Sequence, residues 1–246
     1  MERRDRFHLG LQYLLGRLAV VITVPFVFLA LRIRGYRIRD LERVRSEVDR
    51  LRGEHEGPWL ICPNHLTMID SILISYGMAS FFGHIGRYKD VPWNLPERDN
   101  FQKNPFLATL CYLGKCLPVN RGGSREELQR LFDKCRCVLG WRQRLLIFPE
   151  GGRSRTGRVD RENFSYGVGR FLDECPGCRV MLVYLRGDNQ ETFSTMPRAG
   201  ECLTMNVEVF DPGNVPGAGL RLQREYARRI VERLAGMEEE YFASRG

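Results

Sequence analysis

Lysine is nearly missing from this chain of 246 residues, with 4 against 34 arginines. The net charge of +8 is therefore carried by guanidinium groups, which grip phosphate and carboxylate in a two-pronged geometry. Such a balance favours anionic partners, a lipid surface or phosphorylated molecules. With 43% apolar and 28% charged residues, the chain is neither disordered nor a multi-span membrane protein. Several catalytic signatures are missing: there is no G-x-S-x-G nucleophile elbow, no G-x-x-x-x-G-K-[ST] phosphate loop and no G-x-G-x-x-G dinucleotide fingerprint. The four histidines, His8, His55, His65 and His84, form no H-E-x-x-H metal pair. The arginines follow no nucleic-acid-binding motif, so nucleic acid is not an expected partner.

Cysteine is less scarce, at 8 residues. Some lie in apolar runs such as Trp59–Cys62 and read as buried, reduced thiols. Cys175 and Cys178 have redox spacing, and Cys135 and Cys137 precede them. No histidine accompanies either pair, so no metal site is expected.

One segment departs from a soluble profile. Leu18 to Leu31 carries no charge over fourteen residues. As a helix it spans about 21 Å, short of a bilayer core of about 30 Å. Adding Leu9 to Gly16 gives the reach but buries Arg17, and Pro25 is expected to kink the helix. Arginines flank both ends (Arg3, Arg4 and Arg6, then Arg32, Arg34, Arg37 and Arg39), so charge gives no direction of crossing. A helix dipping into an anionic leaflet satisfies both flanks, with a single span, a signal sequence or a buried helix as alternatives. Residues 1–55 are thus expected to form a membrane-anchoring helical region and residues 56–246 an α/β domain.

Beyond the anchor, strand and helix patterns alternate. Trp59–Cys62, Leu145–Phe148 and Val180–Leu185 read as buried strands, and Leu203–Phe210 as a more peripheral one. Thr67–Met78, Arg125–Leu139, Phe164–Asp173 and Leu220–Leu234 carry helical spacing. The pattern predicts an α/β fold: a mixed central sheet flanked by helices, with the chemistry on loops at strand ends.

Three loops stand out. In Asn64–Asp70, His65 and Asp70 lie five positions apart, about 140° on a regular helix, and would not meet there. If the helix starts near Thr67, Asp70 can reach back to His65, fix its tautomer and leave the other ring nitrogen free to take a proton. Thr67-x-x-Asp70 is equally a helix capping box. The second loop, Pro118–Ser124, places Arg121 before two glycines and a helix start, a setting for an anion or an ordinary glycine turn. The third, Phe148–Gly157, offers Glu150, Arg153 and Ser154 around Gly151 and Gly152, where backbone can approach a ligand.

In this order the three loops resemble the lysophosphatidate (1-acylglycerol-3-phosphate) acyltransferases and the wider glycerolipid acyltransferase family. Asn64–Asp70 is similar to that family's N-H-x-x-x-x-D block, Val119–Gly122 to its arginine-glycine block and Phe148–Ser154 to its F-P-E-G-x-R-S block. Val180–Leu185 falls at its fourth, apolar block, without the proline expected there, and Gly152 replaces a common threonine. The resemblance implies that His65 is a general base oriented by Asp70, acting on an acceptor hydroxyl that attacks an acyl thioester. Backbone N–H groups near His65 would stabilise the oxyanion. Arg121, Glu150, Gly151, Gly152, Arg153 and Ser154 would bind the acceptor's phosphate and glycerol. The implied co-substrate is acyl-CoA or acyl-carrier protein and the acceptor a lysophospholipid, with no tightly bound cofactor or metal. The implied location is the cytoplasmic face of the inner membrane, monotopic or single-span, on an anionic surface. Other lysolipids, aminolipids or glycolipids are alternative acceptors, and the segment Arg87–Pro96 is a place where such a difference would be built. A catalytically idle lipid-binding scaffold is the remaining alternative.

Overall fold

A computed structural model describes residues 1–245. Helix α1 (Arg3–Ile33) is followed by the two-residue strand β1 (Arg37–Ile38) and helix α2 (Leu41–Gly53). Then come β2 (Trp59–Pro63), α3 (Asp70–Met78), α4 (Phe81–Gly86), β3 (Trp93–Asn94) and α5 (Pro105–Leu113). The second half holds α6 (Arg125–Gly140), β4 (Arg144–Leu146), α7 (Gly167–Glu174), β5 (Arg179–Gly187), β6 (Cys202–Phe210) and α8 (Gly219–Ala243). The six strands form one sheet in the order β1-β6-β5-β2-β4-β3. Only β5 and β6 pair antiparallel, so the sheet is mixed and flanked by helices, as the sequence predicts.

Alternating side chains bury both faces of the central strands. Leu60 and Cys62 of β2, with Val180, Leu182 and Tyr184 of β5, pack under α6, α7 and α8. Trp59 and Ile61, with Met181, Val183 and Leu185, face α2, α3 and the end of α1. A strand buried on both sides reads as an unbroken apolar run, which is why β2 and β5 were visible in the sequence.

Two helix boundaries differ from expectation. The helix after β2 begins at Asp70 rather than Thr67, which leaves 64–69 as a turn. The helix expected over Phe164–Asp173 begins at Gly167. Strand β6 is peripheral, as expected, second from the edge and covered outside by the two-residue β1. Helix α1 continues through Pro25, which removes one backbone donor among many in a 31-residue helix. Residues 37–53, within the expected anchoring region, contribute β1 to the sheet and α2 to the core.

The segment Arg87–Pro96 contains the two-residue edge strand β3. Trp93 is fully buried and its Nε1 donates to Gln143 at 2.8 Å. Lys115, one of the few lysines, is buried beside it and donates to Tyr88 O, Val91 O and Gln143 Oε1 at 2.8, 2.8 and 3.0 Å. Three acceptors match the three N–H donors of an ammonium, and the rings of Tyr13, Tyr88 and Trp93 surround it.

Candidate active site

Strand register brings the loops together. β2 and β4 run parallel with Ile61 opposite Leu146, so the chain leaves both strands at the same end of the sheet. His65 and Glu150 each lie four residues beyond that pair. On the far side of β4, β3 extends into a parallel bridge between Glu97 and Val119, which carries Arg121 to the same end.

His65 Nδ1 lies 3.0 Å from Asp70 Oδ2. A carboxylate only accepts, so Nδ1 carries the proton and Nε2 presents a lone pair. Asp70 is buried and held from several sides: Oδ2 also accepts from the Leu66 and Thr67 N–H groups at 2.6 and 2.8 Å, and Oδ1 accepts from the Thr67 hydroxyl. Starting the helix at Asp70 is what lets one carboxylate reach both the imidazole and the preceding turn. The imidazole stacks on Phe148 with centroids 3.8 Å apart and planes at 19°. Asn64 is buried next to it and exchanges two hydrogen bonds with Leu185, which locks the end of β2 to β5.

Glu150 lies behind His65. Its Oε1 accepts from His65 N–H at 2.8 Å and its Oε2 from Asp160 N–H at 3.4 Å. Burial pushes this carboxyl up to about 8, reinforced by the nearby Glu238 and Asp160 carboxylates and opposed by the two N–H donors. Ser154 N–H donates to His65 O at 2.9 Å, so the loop grips His65 by both backbone groups. The Ser154 hydroxyl stays within its own loop, on Arg158 O and Thr156 Oγ1. Gly151 has φ +68, where a side chain would be strained, and a β-carbon there would lie 3.1 Å from Ser165 Cβ.

The arginines are held more loosely. Arg121 Nε pairs with Glu97 Oε2 at 2.7 Å while its side chain remains 62% exposed. A β-carbon built on Gly152 would lie 3.8 Å from Arg121 Nη1, so the guanidinium faces the Phe148–Ser154 loop. Arg153 Nη1 donates to Ser194 O at 3.1 Å, and its guanidinium lies over Phe193.

A family model described as Acyltransferase matches residues 36–186, well over half the chain and all four motif blocks. The chain belongs to the acyltransferase family. Comparison with curated proteins returns no match. The acyltransferase also relies on groups that sequence patterns did not single out. Glu97 anchors Arg121 from 24 positions away, and Glu238 on α8 lies outside the matched segment. Glu238 accepts from Val159 N–H at 3.2 Å and from Tyr184 OH at 3.3 Å, and pairs with buried Arg186 at 3.5 Å. Arg186 in turn donates to Gly157 O. This buried pair fixes 157–160, the stretch that supplies the Asp160 N–H to Glu150. Only Phe148, inside the quoted motif, had a local signal.

Three of the amides in the turn after His65 are engaged elsewhere, while Ile69 N–H at the helix start has no acceptor among the described residues. Leu66 and Thr67 N–H donate to Asp70, and Met68 N–H donates to Thr195 O at 3.2 Å. Among the described residues, Gly152 and Arg153 N–H, on the loop beside His65, have no acceptor. No group of three metal-ligating side chains lies together among the described residues.

Proposed function

We propose that this acyltransferase moves a fatty acyl group from a thioester, acyl-CoA or acyl-carrier protein, to the free hydroxyl of lysophosphatidate. The observation that carries this reading is the His65–Asp70 pair, with Nδ1 tied to a buried carboxylate and Nε2 left as the base. Nε2 takes the hydroxyl proton as the oxygen attacks the thioester carbonyl. The tetrahedral intermediate collapses, expels the thiolate and leaves an ester. The imidazolium returns its proton to the thiolate, which departs as a thiol. Asp70 stabilises the imidazolium, and the Gly152 and Arg153 amides are the donors for the oxyanion.

Arg121 supports a phosphate-bearing acceptor, because its Nη1 faces the glycine loop while Nε is steadied by Glu97. Glu150 and Ser154 serve by holding His65 and the loop. Gly152 favours a second reading, since the missing side chain beside Arg121 leaves room for a bulkier lysolipid headgroup. The reaction would run at the cytoplasmic face of the inner membrane, where an acceptor of this kind resides. The test is purified protein with both donors and a panel of lysolipids, products read by lipid mass spectrometry. Esterified lysophosphatidate is the expected product. Acylation confined to phosphate-free lipids would overturn the acceptor assignment, and no product with any lipid would overturn the reaction.

A further inference from the structure

A second charged cluster lies at the opposite end of the sheet from His65, where β3 and β4 begin. Arg144 opens β4, and its side chain is 5% exposed. Among the described residues its guanidinium has a single ion partner, Asp90 Oδ1 at 3.5 Å, beyond ordinary hydrogen-bond length. Asp90 also faces Arg52 Nη1, again at the long distance of 3.4 Å. Asp49, on α2 with Arg52, lies 3.1 Å from Arg52 Nη1 and 3.2 Å from Arg87 Nη2. Lys115 stands behind this cluster and is spent on neutral acceptors, among them Val91 O. Arg144 therefore holds five N–H donors in a buried place with no acceptor at good distance.

The charges do not balance. Asp49 and Arg87 are 42% and 41% exposed and offset one another at the rim, where water screens them. Deeper in, Arg52, Arg144 and Lys115 bring three positive charges against the single carboxylate of Asp90. A buried lysine can release its proton, but a guanidinium cannot, so the surplus does not disappear by titration. Burial lowers the pKa of Arg144, Asp90 opposes that shift, and Arg52 and Arg87 add to it. His84 supplies no negative charge either, since its Nδ1 donates to Ser80 O at 2.8 Å. Between these groups is a cavity of about 20 Å³, lined by Arg52, Arg87, Asp90 and Arg144 together with Ala79 and His84. One water needs about 10–15 Å³, so the space takes one or two particles of that size and is too small for a phosphate group. Water would accept from the free N–H groups and leave the charge uncompensated. An anion does both.

We propose that this cavity binds one monatomic anion of chloride size, held by Arg144 and Arg52 from within and by Arg87 at the mouth. The anion ties α2 and the segment after α4 to the first residue of β4, whose far end carries the Phe148–Ser154 loop. The site stands apart from the proposed reaction, and its test needs no substrate. The full chain is compared in sodium chloride and sodium gluconate at equal ionic strength, which keeps screening constant. Tm should be about 2–4 °C higher in chloride, and the protein should broaden the NMR resonance of chloride. Arg144→Met should remove both effects. Because loss of a buried guanidinium can also impair folding, Ala79→Leu is the second variant: it fills the cavity and leaves every ion pair in place. Equal Tm in the two salts, or no broadening, would overturn the proposal in favour of a cavity filled by water. Effects that persist in Ala79→Leu or in folded Arg144→Met would overturn it as an adventitious ion only. Narrowing of the resonance by an equal concentration of phosphate would overturn the monatomic assignment.

Discussion

Asp70 and Arg121 both carry charge and both sit at the same end of the sheet, but they are held in opposite ways. Asp70 is buried and its two oxygens take four donors, from His65, the Leu66 and Thr67 amides and the Thr67 hydroxyl. Arg121 is mostly exposed and rests on one ion pair with Glu97. A buried carboxylate that satisfies a turn and an imidazole together cannot shift without exposing several unpaired groups. An exposed guanidinium with one partner can turn toward an incoming anion at little cost, since surface ion pairs are worth at most about 1 kcal/mol. On the proposed reaction, the difference would separate chemistry, built into a rigid corner, from acceptor choice, carried on a movable arm.

The strongest way to break that separation is His65→Ala. Removal of a general base costs about 10²- to 10⁴-fold, so turnover should nearly vanish in a protein whose circular dichroism is unchanged. Arg121→Ala comes next. Loss of a charged hydrogen bond of about 1.5–3 kcal/mol corresponds to about 10- to 150-fold weaker use of a phosphate-bearing acceptor. Arg121→Lys should fall between the wild type and Arg121→Ala, and acceptors without that phosphate should be little affected.

Glu150 sharpens the rigid side of the comparison through pH. Its folded value of about 8 stands above the ordinary 4.5, so folding favours the protonated carboxyl. The stability this adds is full below about 4.5 and is lost as pH rises through about 8. Glu150→Gln cannot ionise, and its amide sets a donor against one of the two backbone N–H groups. Its Tm deficit relative to wild type should therefore shrink from about pH 5 to about pH 9, measured by thermal unfolding. A deficit independent of pH would count against burial as the cause.

The smallest effect concerns Gly152. A β-carbon there makes ordinary contact with Arg121 Nη1, and the backbone is not in the left-handed region. Gly152→Thr should change stability by no more than about 0.5 kcal/mol. Its effect should instead be a lower rate with large-headgroup lysolipids relative to lysophosphatidate, read by competition between the two.

What the sequence revealed follows from how far each signal extends. β2 and β5 were legible because burial on both faces leaves continuous apolar runs, and His65 and Asp70 because one turn contains both. β1 and β3 have two residues each, too few for any periodicity, and are strands only because β6 and β4 pair with them. That the Leu66 and Thr67 amides are taken by the Asp70 carboxylate follows only from where the helix starts. Glu97, Arg186 and Glu238 stood out in no local pattern, since each acts on a loop far away in the chain.

Steady-state kinetics of Asp70→Asn and Arg121→Ala side by side, with lysophosphatidate and acyl-CoA, test the separation most directly. Asp70→Asn should lower kcat with the acceptor KM nearly unchanged, because it disturbs the tautomer and the stabilisation of the imidazolium. Arg121→Ala should raise the acceptor KM with kcat nearly unchanged. If Asp70→Asn instead raised KM alone, or if Arg121→Ala lowered kcat as far as Asp70→Asn does, chemistry and acceptor choice would not be divided between the corner and the arm.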